Sequence, residues 1–300
     1  MTMDIQNTLG GQPRANVSIV IPCYNGAMVI GNQIHALAGQ LFPGDEIVVA
    51  DNRSVDGSAD VVRKLAQELN PAEIRVVDAS AVQGINHARN IGVRAARNEH
   101  IILCDVDDVV ESGWLAALAD ALDAGAPAVG GQMERVDEAG NRIEMSRGVY
   151  SYFWPGRGQY ISTATGANCG FTSTLFLAVG GFDESFLGGS DEIDFFYRAS
   201  LLGFRPRSVP QARVRYVQRD GIVNIWKQHV SYGRGSVALH RKLAHEGMPR
   251  DPWWHPLATV VLSAFKLLSP SPVSRRIGLE RIARRVGRVQ GSRQMGHLYL

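Results

Sequence analysis

Cysteine is scarce in this chain. Cys23, Cys104 and Cys169 are the only three, they lie far apart, and no C-x-x-C spacing occurs. An odd number of scattered thiols excludes a disulfide-stapled fold and a paired-cysteine motif. Two of them sit in apolar, strand-like contexts, where a buried free thiol is expected, and that fits a reducing cytosol. Long apolar runs are missing too. The stretch Trp253–Leu268 is interrupted by His255, Pro256 and Lys266 and is too short for a membrane span. Residues 1–15 are polar, with Gly and Pro and no apolar core, so no secretory signal is expected there. Internal repeats and low-complexity runs are absent. A large charge excess is absent as well: the net charge is +2, so whole-chain charge selects no partner.

The distribution of charge is more informative. From Arg241 onward there are eleven Lys/Arg against three Asp/Glu, leaving twenty against twenty-six in the first 240 residues. An acidic body with a basic tail points to a polyanion or an anionic membrane surface near the tail. Three hundred residues, 45 % hydrophobic and 20 % charged, are enough to bury a sizeable core.

Short apolar, β-branched runs alternate with helical patterns. Strands are predicted at 17–21, 46–50, 74–77 and 100–104, with another beginning at 128. Helices are predicted at 28–41, 58–69, 87–96 and 114–124. This alternation implies βαβ units and a mostly parallel, Rossmann-like sheet flanked by helices. In such sheets ligands gather outside the carboxyl ends of the strands. From 132 to 162 the pattern weakens into a hairpin or loop. A helix at 192–202, a strand at 213–217 and a helix at 222–246 follow. The expected organisation is a flexible stretch at 1–15, a catalytic domain at 16–240 (a ligand-binding half at 16–130 and a second half at 131–240) and a basic, partly amphipathic helical region at 241–300.

Acids stand at the strand ends. Asp105, Val106, Asp107 and Asp108 follow the strand at 100–104. Alternate residues leaving a strand point the same way, so Asp105 and Asp107 can share one site. Hard oxygen ligands suit Mg2+ or Mn2+, with phosphate oxygens completing the shell. The competing reading is a solvated acidic turn with helix N-caps; the apolar strand before it and the acids upstream favour the metal. Asp51 ends the second strand and can accept from a base or ribose, whereas Ser54 and Asp56 are explained by capping alone. Gly84 to Gly92 opens the third helix, whose start favours an anion. Arg89 on it is either a phosphate-gripping charge or a surface arginine.

Taken in order, Val17 to Asn25, Asp51 to Gly57, Ala88 to Gly92 and Asp105-Val106-Asp107 resemble the donor half of family 2 glycosyltransferases, over roughly residues 17–205. The resemblance implies a GT-A fold, a nucleotide-diphosphate sugar donor and Mn2+ or Mg2+. By it, Pro22, Tyr24, Asn25, Asp51, Ser54, Arg89, Asp105 and Val106 line the donor pocket, and Asp107 is the principal metal ligand, aided by Asp105. Gly180-Gly-Phe-Asp-Glu184 leading into Asp191-Glu192 resembles the acceptor side. There an acidic pair precedes a helix and supplies the catalytic base. The pair is inverted here, with Glu192 in the base position and Asp191 beside it; Gly166, Asn168 and Asp194 fall on the same side.

The implied reaction is a single, inverting displacement by a glycan, lipid-linked or small-molecule acceptor hydroxyl, in cell-envelope or polysaccharide assembly. The Q-x-x-R-W signature of processive members is missing after Gln218, so transfer of one or few sugars is expected. A nucleotidyltransferase would open with a Gly-rich, basic loop, which Pro22 to Gly26 is not. A non-catalytic nucleotide-sugar binder would not need Asp107 and Glu192.

In the tail, Leu279, Ile282, Val286 and Val289 fall on one helical face and Arg281, Arg284, Arg285 and Arg288 on another. This is either a peripheral membrane contact at the inner face of the membrane of a cytoplasmic protein, or a helix docked on the body with a solvated arginine face, the latter slightly ahead. Aromatics are not interleaved with the arginines, so nucleic acid is not expected. His229 and His240 are more readily structural than metal ligands. Tyr232-Gly-Arg-Gly-Ser236 reads as a phosphate-side loop or an ordinary turn.

Overall fold

The computed structural model describes residues 14–69, 73–136, 142–146, 148–154, 157–186, 188–217 and 221–300. The 1–13 stretch, parts of the 132–162 region and Gln218 lie outside them.

Four parallel strands form the first half: β1 (Val17–Cys23), β2 (Glu46–Asp51), β3 (Glu73–Asp78) and β4 (His100–Cys104), in the order β3-β2-β1-β4. Their crossovers carry α1 (Ile30–Ala38), α2 (Ser58–Glu68) and α3 (Ile85–Ala95). The strands are apolar throughout because both faces are covered, as parallel sheets require. Successive side chains leave on opposite faces. Ile19, Ile21, Ile47, Val49, Ile102 and Cys104 join one core with α1 and α2 residues such as Ile34 and Val62. Val20, Val48, Ile101 and Leu103 join the other core, with Val93 of α3.

After β4 come β5 (Asp108–Val110), α4 (Trp114–Asp123), β6 (Ala128–Val136) and β7 (Arg142–Met145). Next are β8 (Val149–Trp154), β9 (Gln159–Ala164), β10 (Asn168–Thr172), α5 (Ser173–Val179), α6 (Asp191–Leu201) and β11 (Pro206–Val217). β10 enters antiparallel between β4 and β6, and β11 pairs parallel with β6. β8 and β9 form a separate hairpin. The expected α/β sheet is therefore present, with antiparallel insertions the sequence pattern did not predict. Asp108, counted among the acids after the fourth strand, instead lies buried in β5, paired to Tyr216 of β11. Gly57, not Ser54 or Asp56, is the N-cap residue of α2, but Asp56 Oδ1 accepts from the amide of Ser58, the first residue of that helix; Ser54 accepts from the Asn25 amide and Asp56 Oδ2 from the Ala27 amide, which ties the β2–α2 loop to the β1–α1 loop.

The chain ends in α7 (Ile222–Leu243), a 3-10 turn at Ala244–Glu246, α8 (His255–Leu267) and α9 (Pro272–Met295). The expected boundary at 240 falls inside α7. Tyr232 to Ser236 is neither loop nor turn but the middle of α7. Its glycines are there for close approach: a Cβ on Gly233 would lie 2.2 Å from the Arg284 carbonyl, and one on Gly235 2.3 Å from the Gly188 carbonyl. The tail helix docks on the body, as one of the two readings had it, but not by its Leu/Ile/Val face. It buries Gly278, Ala283, Gly287, Gly291 and Ser292, because backbone-to-backbone contact leaves no room for larger residues. Gly287→Ala is expected to destabilise by about 1–3 kcal/mol, since its Cβ would meet the Val230 carbonyl at 2.1 Å. This outweighs alanine's helix-propensity gain of about 1 kcal/mol. Thermal unfolding decides it, and a raised Tm would refute the close-packing account.

Candidate active site

The carboxyl ends of β1, β2 and β4 share one edge of the sheet. Cys23 pairs with Asp51, and Val20 with Leu103. Pro22 to Asn25, Asp51 and Asp105 therefore emerge side by side. Tyr24 and Asn25 are exposed there, and Pro22 is buried. Asp51 Oδ1 is buried without a hydrogen-bond partner among the described residues. Buried Asn52 donates to the Ala79 and Val82 carbonyls and accepts from the Gly84 amide, fixing the loop before α3. Val106 packs so closely on Gly26 that a Cβ there would meet its Cγ2 at 2.6 Å. From α1, buried Gln33 accepts from the Val110 amide at 3.0 Å, which anchors the start of the segment after Asp107.

Arg89 lies at the centre of the site, neither on the surface nor open to solvent, and is 4 % exposed. Its Nη1 donates to Asp191 Oδ2 at 2.5 Å and its Nη2 lies 3.4 Å from Asp105 Oδ1. Burial opposes its charge, but the carboxylates of Asp191, Asp105 and Glu192 outweigh burial and hold the guanidinium protonated. Gly166 leaves the space Arg89 fills: a Cβ there would sit 2.6 Å from Nη2. Asp105 is pushed up by burial; Arg89 opposes this, while Asp107 and Asp191 add to it. Glu192 is pushed up to about 8, first by burial and then by the charge of Asp191, with Arg89 pulling the other way. Its surface is only half-buried; it stands at the wall of a cavity, enclosed by protein on most sides but reachable from one.

Asp105 and Asp107 repel each other, and a hard cation would relieve that. Among the described residues no three or more His, Cys, Asp or Glu converge as a metal shell. The chain offers two carboxylates, and a diphosphate's oxygens are of the type needed to complete the set, so the donor chemistry fits Mg2+ or Mn2+ held jointly with a ligand.

Two expected acceptor-side residues are committed elsewhere. Asn168 is buried: it accepts from Trp114 Nε1 and donates to the Gln132 and Ala212 carbonyls. All its hydrogen-bonding groups are spent on joining α4, β6 and β11. Asp194 is fully buried between Arg198 and Lys242, at 2.8 and 2.7 Å, on the α7 side of α6. The Gly180 to Glu184 segment is likewise scaffold. Phe182 is core, Asp183 pairs with Lys242, and Glu184 takes bonds from His87 and Asn90 of α3. His229 bonds Arg284 and His240 bonds His297, so both are structural.

Sequence reasoning missed Tyr152 and took Tyr232 only as the start of a phosphate-side loop or turn; burial raises both hydroxyls, a neighbouring tyrosine (Tyr150 and Tyr216 respectively) adds to it, and the charge of Glu192 adds further. The exposed aromatics of β8 and the tyrosine before Gly233 were the available signals. It also missed strain. Among the described residues the non-glycine positions with positive φ are Asn25 (52°), Arg53 (67°) and Ser190 (69°). They lie in the β1–α1 loop, the β2–α2 loop and the N-cap of α6, where such backbone cost is commonly functional.

A family model described as glycosyl transferase family 2 matches residues 18–179. The succinoglycan biosynthesis protein ExoA of Rhizobium meliloti is 29 % identical over 260 residues, 84 % of this chain and 77 % of its own. "Probable glycosyltransferase YdaM" of Bacillus subtilis is 24 % identical over 233 residues, 73 % of this chain and 55 % of its own, so the chain spans about half of that relative. Among solved structures, mannosyltransferase PcManGT from Pyrobaculum calidifontis, in complex with GDP-Man and Mn2+, superposes with a TM-score of 0.67 at 18 % identity, covering 93 % of this chain and 87 % of that one. S. aureus TarS residues 1–349 in complex with UDP-GlcNAc gives 0.53 at 16 % identity, covering 94 % and 92 %. At these identities the structural likeness carries the GT-A fold alone.

Proposed function

The chain belongs to glycosyl transferase family 2 and is a glycosyltransferase, and from that premise we propose that it moves a sugar from a nucleotide-diphosphate donor to an acceptor hydroxyl with inversion, a carboxylate serving as base. The observation that carries this reading is the ion-paired cluster of Asp105, Arg89 and Asp191 beside Glu192. It joins the D-x-D strand end to the start of α6 at the edge where ligands of such sheets bind.

In this reading Pro22, Tyr24, Asn25, Ser54 and Val106 border the nucleoside. The unpartnered oxygen of Asp51 accepts from the base or ribose. Asp107 and Asp105 would hold Mn2+ or Mg2+, which when bound offsets the charge of the departing diphosphate. Glu192 removes the proton from the acceptor hydroxyl as its oxygen bonds to the anomeric carbon; the bond to the diphosphate breaks on the opposite face. The raised Glu192 carboxyl suits proton exchange near neutral pH. Arg89 does not grip phosphate; it positions Asp105 and Asp191. Asn168 and Asp194 have no part in binding. Residues 16–130 are the donor half, 131–240 the acceptor half, and the C-terminal helices complete the latter. Without a Q-x-x-R-W signature, transfer is limited to one or few sugars. The name of ExoA, a succinoglycan biosynthesis protein, supports a polysaccharide as product class.

A thermal-shift screen of nucleoside diphosphates and nucleotide sugars, with and without Mn2+, tests the donor side. One nucleotide is expected to raise Tm selectively in the presence of Mn2+ and its sugar conjugate to be hydrolysed slowly. Asp107→Ala should abolish the metal-dependent gain, measured against the variant's own ligand-free Tm, and lower turnover at least about hundredfold. Metal-independent binding that ignores Asp107→Ala would remove the proposed metal site.

A further inference from the structure

Helix α8 is built inside out. Its polar side chains face the body: His255 and Thr259 bond Arg285 of α9, and Ser263 is fully buried where Gly278 of α9 meets the helix. The opposite face carries Leu257, Val261, Leu262, Ala264 and Phe265, with Leu268 at the C-cap, and no polar residue. Positions three and four apart fall on one side of a helix, so these form a single stripe. The stripe is turned to solvent. Leu257 and Phe265 are 69 % exposed, Leu268 is 83 % exposed, and Trp253, just before the helix, is 91 % exposed. A contiguous apolar patch left open on a folded chain marks an interaction surface. On α9, by contrast, Leu279, Ile282 and Val286 are half-buried.

The free charge around α8 is of one sign. The acids after Arg241 are Glu246, Asp251 and Glu280, and each is engaged. Glu246 pairs with Arg157, Asp251 with Arg285 and Arg288, and Glu280 with Arg276 and Arg135. Arg250, Lys266, Arg275 and Arg281 have no carboxylate partner among the described residues. Lys266 is on α8 itself, its Cβ against Gly278. Arg275 and Arg281 stand three residues either side of Gly278, so they flank the seam where α9 meets α8. The apolar stripe is thus bordered by uncompensated cations.

We propose that the outer face of α8, led by Trp253 and Trp254, docks the protein on an anionic lipid surface. The apolar stripe enters the acyl boundary, the indoles sit at headgroup level, and Lys266, Arg275 and Arg281 meet the lipid phosphates. No helix among the described residues is long and apolar enough to cross a membrane, so the contact is peripheral. The charges select lipid over a second copy of the chain, which would bring the same cations against their own kind. The inner face of α8, through His255 and Thr259, borders the cavity that Glu192 and the tail arginines line, so docking sets that cavity at the bilayer surface. The inference goes beyond the transfer reaction proposed above and does not depend on it.

The test is flotation of the full chain with vesicles of phosphatidylcholine alone and of phosphatidylcholine with phosphatidylglycerol, at low and high salt. The chain is expected to float with the anionic vesicles, to do so less as salt rises, and to bind the neutral ones weakly. Leu257→Ser/Phe265→Ser alters only exposed side chains, so Tm should hold while partition falls about tenfold or more. Lys266→Gln/Arg275→Gln breaks no ion pair. It should cost about tenfold on anionic vesicles and leave the weak binding to neutral ones unchanged. Sedimentation velocity without lipid should show a monomer. A wild-type chain that ignores anionic vesicles at low salt overturns the proposal. Wild-type partition in Leu257→Ser/Phe265→Ser, at unchanged Tm, overturns the assignment to α8. A dimer that the same two substitutions dissociate gives the stripe to a second copy and overturns lipid as its occupant.

Discussion

Glu192→Gln is expected to lower kcat by about 10²–10⁴-fold while the protein still folds and binds donor. Gln keeps the shape and loses the basicity, so the loss isolates proton removal. The pH dependence gives the sign. A base acts when ionised, and Glu192 is pushed up to about 8 by burial and by Asp191. In the wild-type protein kcat/KM should rise about tenfold per unit below that value and level off above it. A cation at Asp107 shifts the limb to lower pH. The residual activity of the variant should lack the limb. Stability should change in the opposite direction. A carboxyl whose folded value is raised contributes stability below its unfolded value near 4.5, and that contribution is lost as pH rises through about 8. Glu192→Gln should therefore match the wild-type Tm near pH 4 and exceed it at pH 8. The excess is smaller than the shift alone implies, because the carboxyl keeps a solvent window. An unchanged pH profile in the variant would transfer the role of base elsewhere, with Asp191 the next candidate.

Arg89→Leu should be the most damaging single change to the fold of the site. It leaves Asp191, 4 % exposed, and Asp105 as unpaired neighbouring carboxylates, and removing one partner of a buried pair costs about 3–5 kcal/mol. Arg89→Lys should recover only part, because a single ammonium cannot serve both acids. Adding Asp191→Asn to Arg89→Leu should restore a substantial share of the loss, since it removes the stranded charge. Denaturant unfolding of the four proteins in this double-mutant cycle measures the coupling. Additive losses would show that Arg89 does not act through Asp191.

The first half of the fold was legible element by element, with ends that differ from the expected ones, as at α1 (Ile30–Ala38 against 28–41). β1 to β4 and α1 to α4 are local patterns: apolar runs of strand length, helical periodicity between them, and turn residues at the joints. Parallel strands buried on both faces read as continuous apolar runs, so their ends, and hence the acids at 51 and 105, could be located. The second half was harder because several of its strands are short or antiparallel, and even the long parallel pair β6 and β11 is defined by partners far away in sequence. β5 is three residues long and exists because β11 pairs with it. The basic tail gave a helix, but its buried face is the glycine stripe, which hydrophobic periodicity does not register.

Composition and local order alone determined the α/β class, the family resemblance and the presence of acids at the strand ends, because each depends on neighbours in the chain. Tertiary structure decided what those charges do. Only packing could show that Arg89 is spent between Asp105 and Asp191, that Asn168 and Asp194 are fasteners, and that the tail arginines line a cavity beside Glu192. The reason is physical: whether a charge binds a ligand or a neighbour depends on burial and on partners tens to hundreds of residues away, and a linear pattern carries neither.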